Sequence, residues 1–245
     1  MKGFNSNSVI LLTAAINPNS KEVLSISDPE IRKHHYIEAI NFYLSNTNLN
    51  IVFTENSNTS LKDFFEPTSR LEFLTFSSPF VKPDKGKGYK ELEIIDYSMK
   101  NSRFIANATG VVKITGRLKV LNINRLNRQI QSQTKLANSV VLSNIYKESK
   151  MDSRCFYFTK DFWPILQKNG QLIDLSFSFE RALWKGVLEY TRLHQGLYKQ
   201  FVQPLRIEGI SGGMGVAYRN GWFITVAKKL RHYLTKEKYL KHFKN

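Results

Sequence analysis

The sequence predicts an α/β fold, a mostly parallel sheet flanked by helices, and three observations carry that prediction. Apolar runs of strand length recur as far as Thr115, each closed by a polar loop. Segments with apolar residues at helical spacing fill the gaps between them. The resulting order, strand, helix, strand, short helix, strand, helix, strand, is that of a parallel sheet built with right-handed crossovers.

The first strand is the compact apolar run 9–15, which ends at Ile16-Asn17-Pro18 and reads as fully buried. Ser27-Asp28-Pro29-Glu30 then starts a helix, with Ser27 or Asp28 as cap and proline in the first turn. Ile37, Ile40, Tyr43 and Leu44 repeat along it at helical spacing. A second strand over 49–54 ends in Glu55-Asn56-Ser57-Asn58, and a third covers 71–76. The turn Lys85-Gly86-Lys87-Gly88-Tyr89 opens the next helix, whose inner face is marked by Leu92, Ile95, Met99 and Ser102. The fourth strand is 110–114.

The second half is less regular. Residues 122–136 read as a polar helix or an excursion, 140–145 as a short strand, and 152–158 as a strand entered through Asp152-Ser153-Arg154. A short helix follows over 161–166, and a strand-like stretch over 176–180 leads into an amphipathic helix over 181–194, placing Glu180 at the junction. The predicted organisation is one domain over 1–205 and a basic amphipathic extension over 206–245.

Composition narrows the function classes. With 245 residues, 42% hydrophobic and 13% aromatic, the chain buries one substantial core and is not disordered. No run of about 18 apolar residues suggests a membrane span, and residues 1–5 lead into the first strand without a signal-peptide hydrophobic region, so a cytoplasmic location is expected. The single cysteine, Cys155, excludes an internal disulfide and a cysteine-based zinc site, and reads as packed. A net charge of +16 calls for a polyanionic partner: nucleic acid, anionic lipid or a phosphorylated substrate.

Ligands of parallel sheets sit beyond the carboxyl ends of the strands. There the sequence places Thr13, Ala15 and Asn17, then Glu55, Asn56 and Ser57, the Lys/Gly turn, and Thr115-Gly116-Arg117. Glycines let backbone approach phosphate, a helix N-terminus adds partial positive charge, and Lys85, Lys87, Lys113 and Arg117 supply full charges. Plainer readings stand beside these: a solvated lysine loop, a surface arginine, a structural Asp152–Arg154 ion pair, and Glu55 to Ser57 as strand terminators. At the C-terminal end Lys228, Lys229, Arg231, Lys236, Lys238, Lys241 and Lys244 interleave with Trp222, Phe223, Leu230, Tyr233, Leu234, Tyr239, Leu240 and Phe243. That pattern suits the interface of an anionic membrane, or a helix packed on the domain with its lysines in water.

The order of Leu11-Leu12-Thr13-Ala14-Ala15-Ile16-Asn17-Pro18, Phe53-Thr54-Glu55-Asn56-Ser57, Lys85-Gly86-Lys87-Gly88-Tyr89, Lys113-Ile114-Thr115-Gly116-Arg117, Asp152-Ser153-Arg154 and Phe179-Glu180 resembles bacterial glycosyltransferases of capsule and lipopolysaccharide clusters. These have the nucleotide-diphospho-sugar transferase (GT-A) type of fold, and the resemblance covers about residues 9–190. It implies a nucleotide-sugar donor, a glycan or lipid-linked acceptor, and a place on the inner face of the cell membrane. Substrate contacts are then expected from Thr13, Ala15, Asn17, Glu55, Asn56, Lys85, Lys87, Gly88, Tyr89, Glu91, Lys113, Thr115, Gly116, Asp152 and Arg154, with Glu180 as catalytic base or, on the plainer reading, as a charge that only caps its helix through the N-terminal amides.

Where the family pattern has an Asp-x-Asp metal motif, this chain has Thr115-Gly116-Arg117. Arg117 and Lys113 are therefore expected to replace the metal as stabilisers of the leaving phosphate. The rival is a divalent cation (Mg2+ or Mn2+) held by Asp152. Two other readings stay open. One is a nucleic-acid-binding protein, against which stand the absence of any such motif and the gathering of charge at one loop and the tail. The other is an inactive, nucleotide-binding member of the glycosyltransferase group.

Overall fold

A computed structural model describes residues 7–18, 25–79, 82–194, 196–211, 215–218 and 222–243. The first half runs β1 (Ser8–Ala14), α1 (Pro29–Asn46), β2 (Asn50–Glu55), β3 (Leu71–Thr75), α2 (Gly86–Asn101), α3 (Arg103–Ala106) and β4 (Gly110–Thr115). A 3-10 turn, Lys62–Phe64, is the short helix between β2 and β3. The second half runs β5 (Lys119–Val120), α4 (Ile123–Leu136), β6 (Val140–Ser143), β7 (Ile145–Lys147), β8 (Lys150–Met151) and β9 (Cys155–Thr159). It ends with α5 (Trp163–Gly170), α6 (Phe179–Leu193), β10 (Leu197–Gln200), β11 (Ile207–Glu208) and α7 (Trp222–Tyr239).

Seven strands form the central sheet in the order β10-β6-β9-β4-β1-β2-β3. The four strands read from the first half pair in parallel, β4 and β2 on either side of β1 and β3 beyond β2. The reversal comes from β9, which lies antiparallel between β4 and β6. β1 is buried along its whole length because helices cover both faces of the sheet, and its residues divide with the period of a strand. Val9 and Leu11 pack with α2, α5 and α6 on one side. Ile10, Leu12 and Ala14 pack with α1 and α4 on the other.

The start of α1 follows local chemistry. Asp28 accepts the amides of Glu30 (2.8 Å) and Ile31 (3.2 Å) ahead of α1, with Pro29 in the first turn. The buried face of α1 is Arg32, Tyr36, Ala39, Ile40 and Tyr43, so it is rotated from the Ile37–Ile40–Tyr43–Leu44 line expected from sequence. Three further expectations shift. Residues 140–145 divide into β6 and β7 at Asn144, and Asp152 to Arg154 form the turn before β9. Residues 176–178 form no strand, because the Asp174 carboxylate accepts the amides of Ser176 and Phe177, both at 2.7 Å, and folds a tight turn. Glu180 therefore lies in the first turn of α6.

The C-terminal segment is tied back to the sheet-bearing part. β11 pairs antiparallel with β5, and Phe243 packs against Trp184 (4.7 Å between ring centroids) and Tyr198 (4.5 Å). Lys244 lies outside the described residues, as do the side chains of Trp222, Phe223, Lys228, Arg231 and Lys236. Among the described residues no helix is long and apolar enough to cross a membrane.

Candidate active site

The exits of β1, β2 and β4 are fastened to one another before any ligand is considered. Glu55, fully buried at the end of β2, accepts the amides of Ile16 (2.8 Å), Ser57 (2.8 Å) and Thr59 (2.9 Å), together with the Ser57 hydroxyl. Asn17 donates its amide to Ser57 Oγ at 2.9 Å and its side chain to Thr59 Oγ1 at 3.0 Å. From α1, Arg32 donates Nε to the Ala15 carbonyl (2.6 Å), Nη1 to Ile26 (3.1 Å) and Nη2 to the Tyr36 hydroxyl (3.2 Å). On the β4 side, Gly116 donates its amide to Thr13 O at 2.9 Å. A Cβ at 116 would stand 2.6 Å from that oxygen, which is why a residue without one follows Thr115.

These exits, with α2 and α6, enclose a cleft of about 500 Å³. Of the residues expected to meet ligand, Thr13, Ala15, Asn17, Asn56, Lys87, Glu91, Thr115, Arg117, Arg154 and Glu180 line it. Arg32, Tyr36, Ser78, Lys90, Ser211 and Tyr218 line it too and were not anticipated. Arg32 left a readable trace, since it falls in the helical register of Tyr36, Ala39, Ile40 and Tyr43. Lys90 sits inside the Lys/Gly turn's helix and bonds Ser78 at 2.8 Å, which the one-dimensional pattern does not reveal.

The other expected residues lie behind or beside the wall. Lys113 is fully buried, with its ammonium taken by Glu91, by the Ser153 carbonyl (2.7 Å) and by Thr115 Oγ1 (3.4 Å). It positions Glu91 and presents no charge to the cleft, because an isolated buried ammonium would be prohibitively costly. Glu55 is spent on backbone amides. Gly88 permits close packing of α2 on α6, where a Cβ would come within 3.2 Å of the Phe179 nitrogen. Lys85 sits over the Tyr89 ring at 4.4 Å, and neither residue lines the cleft. Asp152 is buried, and both its oxygens are taken by Arg154, through Nε at 2.8 Å and Nη2 at 2.6 Å.

No family model matches the sequence, and no curated protein does either. Solved structures do match. One described by its crystallographers as a candidate nucleotide-diphospho-sugar transferase, from Desulfovibrio desulfuricans G20, superposes with a TM-score of 0.50 at 11% identity, over 80% of this chain and 79% of that one. The fold is the one shared by nucleotide-diphospho-sugar transferases. HddC from Yersinia pseudotuberculosis aligns over 95% of this chain and 99% of its own, at 13% identity and a TM-score of 0.47. Rv0371C from Mycobacterium tuberculosis H37Rv, a manganese complex, aligns over 91% and 98%, at 11% and 0.41.

The cleft is cationic. Lys87, Lys90, Arg32, Arg117 and Arg154 face two carboxylates, Glu91 and Glu180. The cations differ in how far their charge is already spent. Arg154 is neutralised in place: burial works against its charge, and Asp152 outweighs burial and holds it above the ordinary arginine value. Its guanidinium also lies 5.0 Å from the centre of the Tyr218 ring. Arg117 is the opposite case, lowered from its ordinary value by burial and by the neighbouring Arg32. Among the described residues its buried Nε has no hydrogen-bond partner. Glu180 accepts a hydrogen bond from Ser153 Oγ at 2.8 Å, which fixes the orientation of one oxygen at the cleft wall. The Cys155 thiol is pushed up to about 12 by burial and is inert packing.

The residue expected to hold a divalent cation, Asp152, is already engaged. Among the described residues no group of three His, Cys, Asp or Glu side chains is gathered. Asp152 would have to surrender a bidentate arginine before it could act as a ligand.

Proposed function

We propose that this protein transfers a sugar from a nucleotide-diphosphate donor to a cell-surface glycan or its lipid-linked precursor. The observation that carries the reading is Arg117, a guanidinium with a buried and unpartnered Nε in a cationic cleft at the strand ends. A buried donor left without a partner costs roughly 1–3 kcal/mol. An anionic oxygen is the partner that recovers this cost, and a diphosphate supplies several.

In this mechanism the donor diphosphate lies against Arg117 and Lys87, while Asn17, Asn56 and Ser57 face the nucleoside. As the bond between the anomeric carbon and the phosphate oxygen breaks, charge grows on the leaving diphosphate, and fixed cations stabilise it without reorganising. Glu180 takes the proton of the acceptor hydroxyl as that oxygen bonds to the anomeric carbon. Ser153 keeps the receiving carboxylate aimed. Lys113 acts through Glu91 as a positioning group. No step is routed through a metal, because Asp152, the candidate ligand, is already held by Arg154.

A thermal-shift screen against UDP, GDP, CMP and dTDP, with and without EDTA, tests the reading. One nucleotide class should raise the melting temperature equally in both conditions. A shift abolished by EDTA would transfer the role of Arg117 to a metal ion, and the absence of any shift would end the proposal. Pyrophosphate release from a nucleoside triphosphate and a sugar phosphate would mark nucleotidyl transfer instead.

A further inference from the structure

A second cavity, of about 320 Å³, opens beside the start of α4. Asn122, Arg125, Arg128, Gln203, Arg206 and Lys229 line it, and no carboxylate does so among the described residues. Four cations from three separate stretches of chain thus converge on one concavity. Their mutual repulsion is tolerable in water, and no acidic side chain among the described residues lines the cavity to offset it. Part of the frame is fixed: Asn122 Oδ1 accepts the Arg206 amide at 2.9 Å, and Asn122 Nδ2 donates to Pro204 O at 3.2 Å. Arg125 donates Nη1 to Gln203 Oε1 at 3.2 Å. Lys229 is brought in by α7, which is pinned to the sheet through His232, 2.7 Å from Phe201 O and 3.0 Å from Gln200 Nε2.

α7 carries a second feature that points the same way. Val226, Leu230, Tyr233 and Leu234 are 47%, 61%, 60% and 57% exposed. Their spacing of four, three and one places them on a single helical stripe. Lys229 flanks that stripe on the side of the cavity. An apolar strip facing water beside a carboxylate-free arginine pocket has the two halves of a lipid: an anionic head and an apolar boundary.

We propose that this face docks on a bilayer, with the phosphate headgroup of an anionic lipid in the Arg125–Arg128–Arg206–Lys229 cavity and the α7 stripe in the acyl boundary. The chemistry of sugar transfer is not needed for this, so it stands or falls separately from the proposed function.

The test is flotation of the full chain with vesicles of phosphatidylcholine alone or mixed with phosphatidylglycerol. Wild type should float only with the anionic vesicles. Each cation removed near an anionic surface weakens partition about fivefold, so R125Q/R128Q/R206Q should lose about a hundredfold. L230S/Y233S should lose about tenfold or more at unchanged charge. Both variants should keep the wild-type melting temperature within a few degrees and any nucleotide-induced shift. Equal flotation of wild type and both variants would overturn the proposal. So would inorganic pyrophosphate stabilising wild type but not the arginine variant while no vesicle binds, which would make the cavity a site for a soluble phosphate. RNA binding lost in the arginine variant, again with no vesicle binding, would overturn it in favour of a nucleic-acid face.

Discussion

Replacing Arg117 by methionine separates a residue that holds the fold from one kept for a ligand. In the folded protein Arg117 carries two liabilities, a buried Nε without a partner and a like charge at Arg32. Methionine keeps much of the side-chain volume and removes both. An unsatisfied buried donor costs about 1–3 kcal/mol, so R117M should be more stable than wild type by about 1 kcal/mol. For a chain of this size that raises the melting temperature by about 2–4 °C. Binding should move the other way. A hydrogen bond from an ionised donor is worth about 1.5–3 kcal/mol, so affinity for the stabilising nucleotide should fall by about 10- to 150-fold. Thermal scans and nucleotide titration of the two proteins read both quantities. A lower melting temperature together with unchanged affinity would show that the guanidinium is structural, and the argument from its unpartnered nitrogen would be refuted.

Removing the counter-charge of a buried ammonium is costlier than removing the whole pair. E91Q should therefore lose about 3 kcal/mol in urea unfolding, because Lys113 is fully buried, while E91Q/K113M should lose less than the sum of its single variants; additive losses would deny the coupling. E180Q should bind donor as wild type does and transfer sugar about 10²- to 10⁴-fold more slowly, and full turnover would remove Glu180 as base. Glu72 supplies a pH signature. Burial opposes its charge, but Ser102 (2.5 Å), Arg103 and the Arg103 and Phe104 amides outweigh burial and hold the carboxyl below its ordinary 4.5. The folded value is the lower one, so the stabilisation is complete above about pH 4.5 and is lost as pH falls below it. Melting curves between about pH 5 and pH 3 should fall more steeply for wild type than for E72Q, and parallel curves would show that Glu72 is not the linked group.

The parallel half of the sheet was legible because its strands are continuous apolar runs with polar exits, a pattern that depends only on local sequence. The antiparallel β9 was legible as a strand but not in direction, since direction is set by pairing with β4 and β6, and no tight turn links it to either. The cleft was readable to the extent that it is made of strand ends: Thr13, Asn17, Asn56, Thr115 and Arg117 follow from topology alone. Lys113 misleads for a physical reason. A lysine near a strand exit looks like a ligand cation until Glu91, on the crossing helix, is seen to claim it. Arg32 escaped notice for the converse reason, because a charged residue in an apolar register is discounted when the buried face of a helix is drawn.

The reversed strand β9 also sets a schedule for synthesis. When Thr115 leaves the ribosome the four parallel strands are complete, yet the free edge of β4, Gly110 to Ile114, still lacks its neighbour. That neighbour lies about forty residues downstream, some 2–8 s at roughly 5–20 residues per second. Through that interval the nascent chain carries an apolar, unpaired strand border, the kind of surface to which other growing chains add. Chaperones that shelter emerging polypeptides should matter most for this protein in the window between β4 and β9.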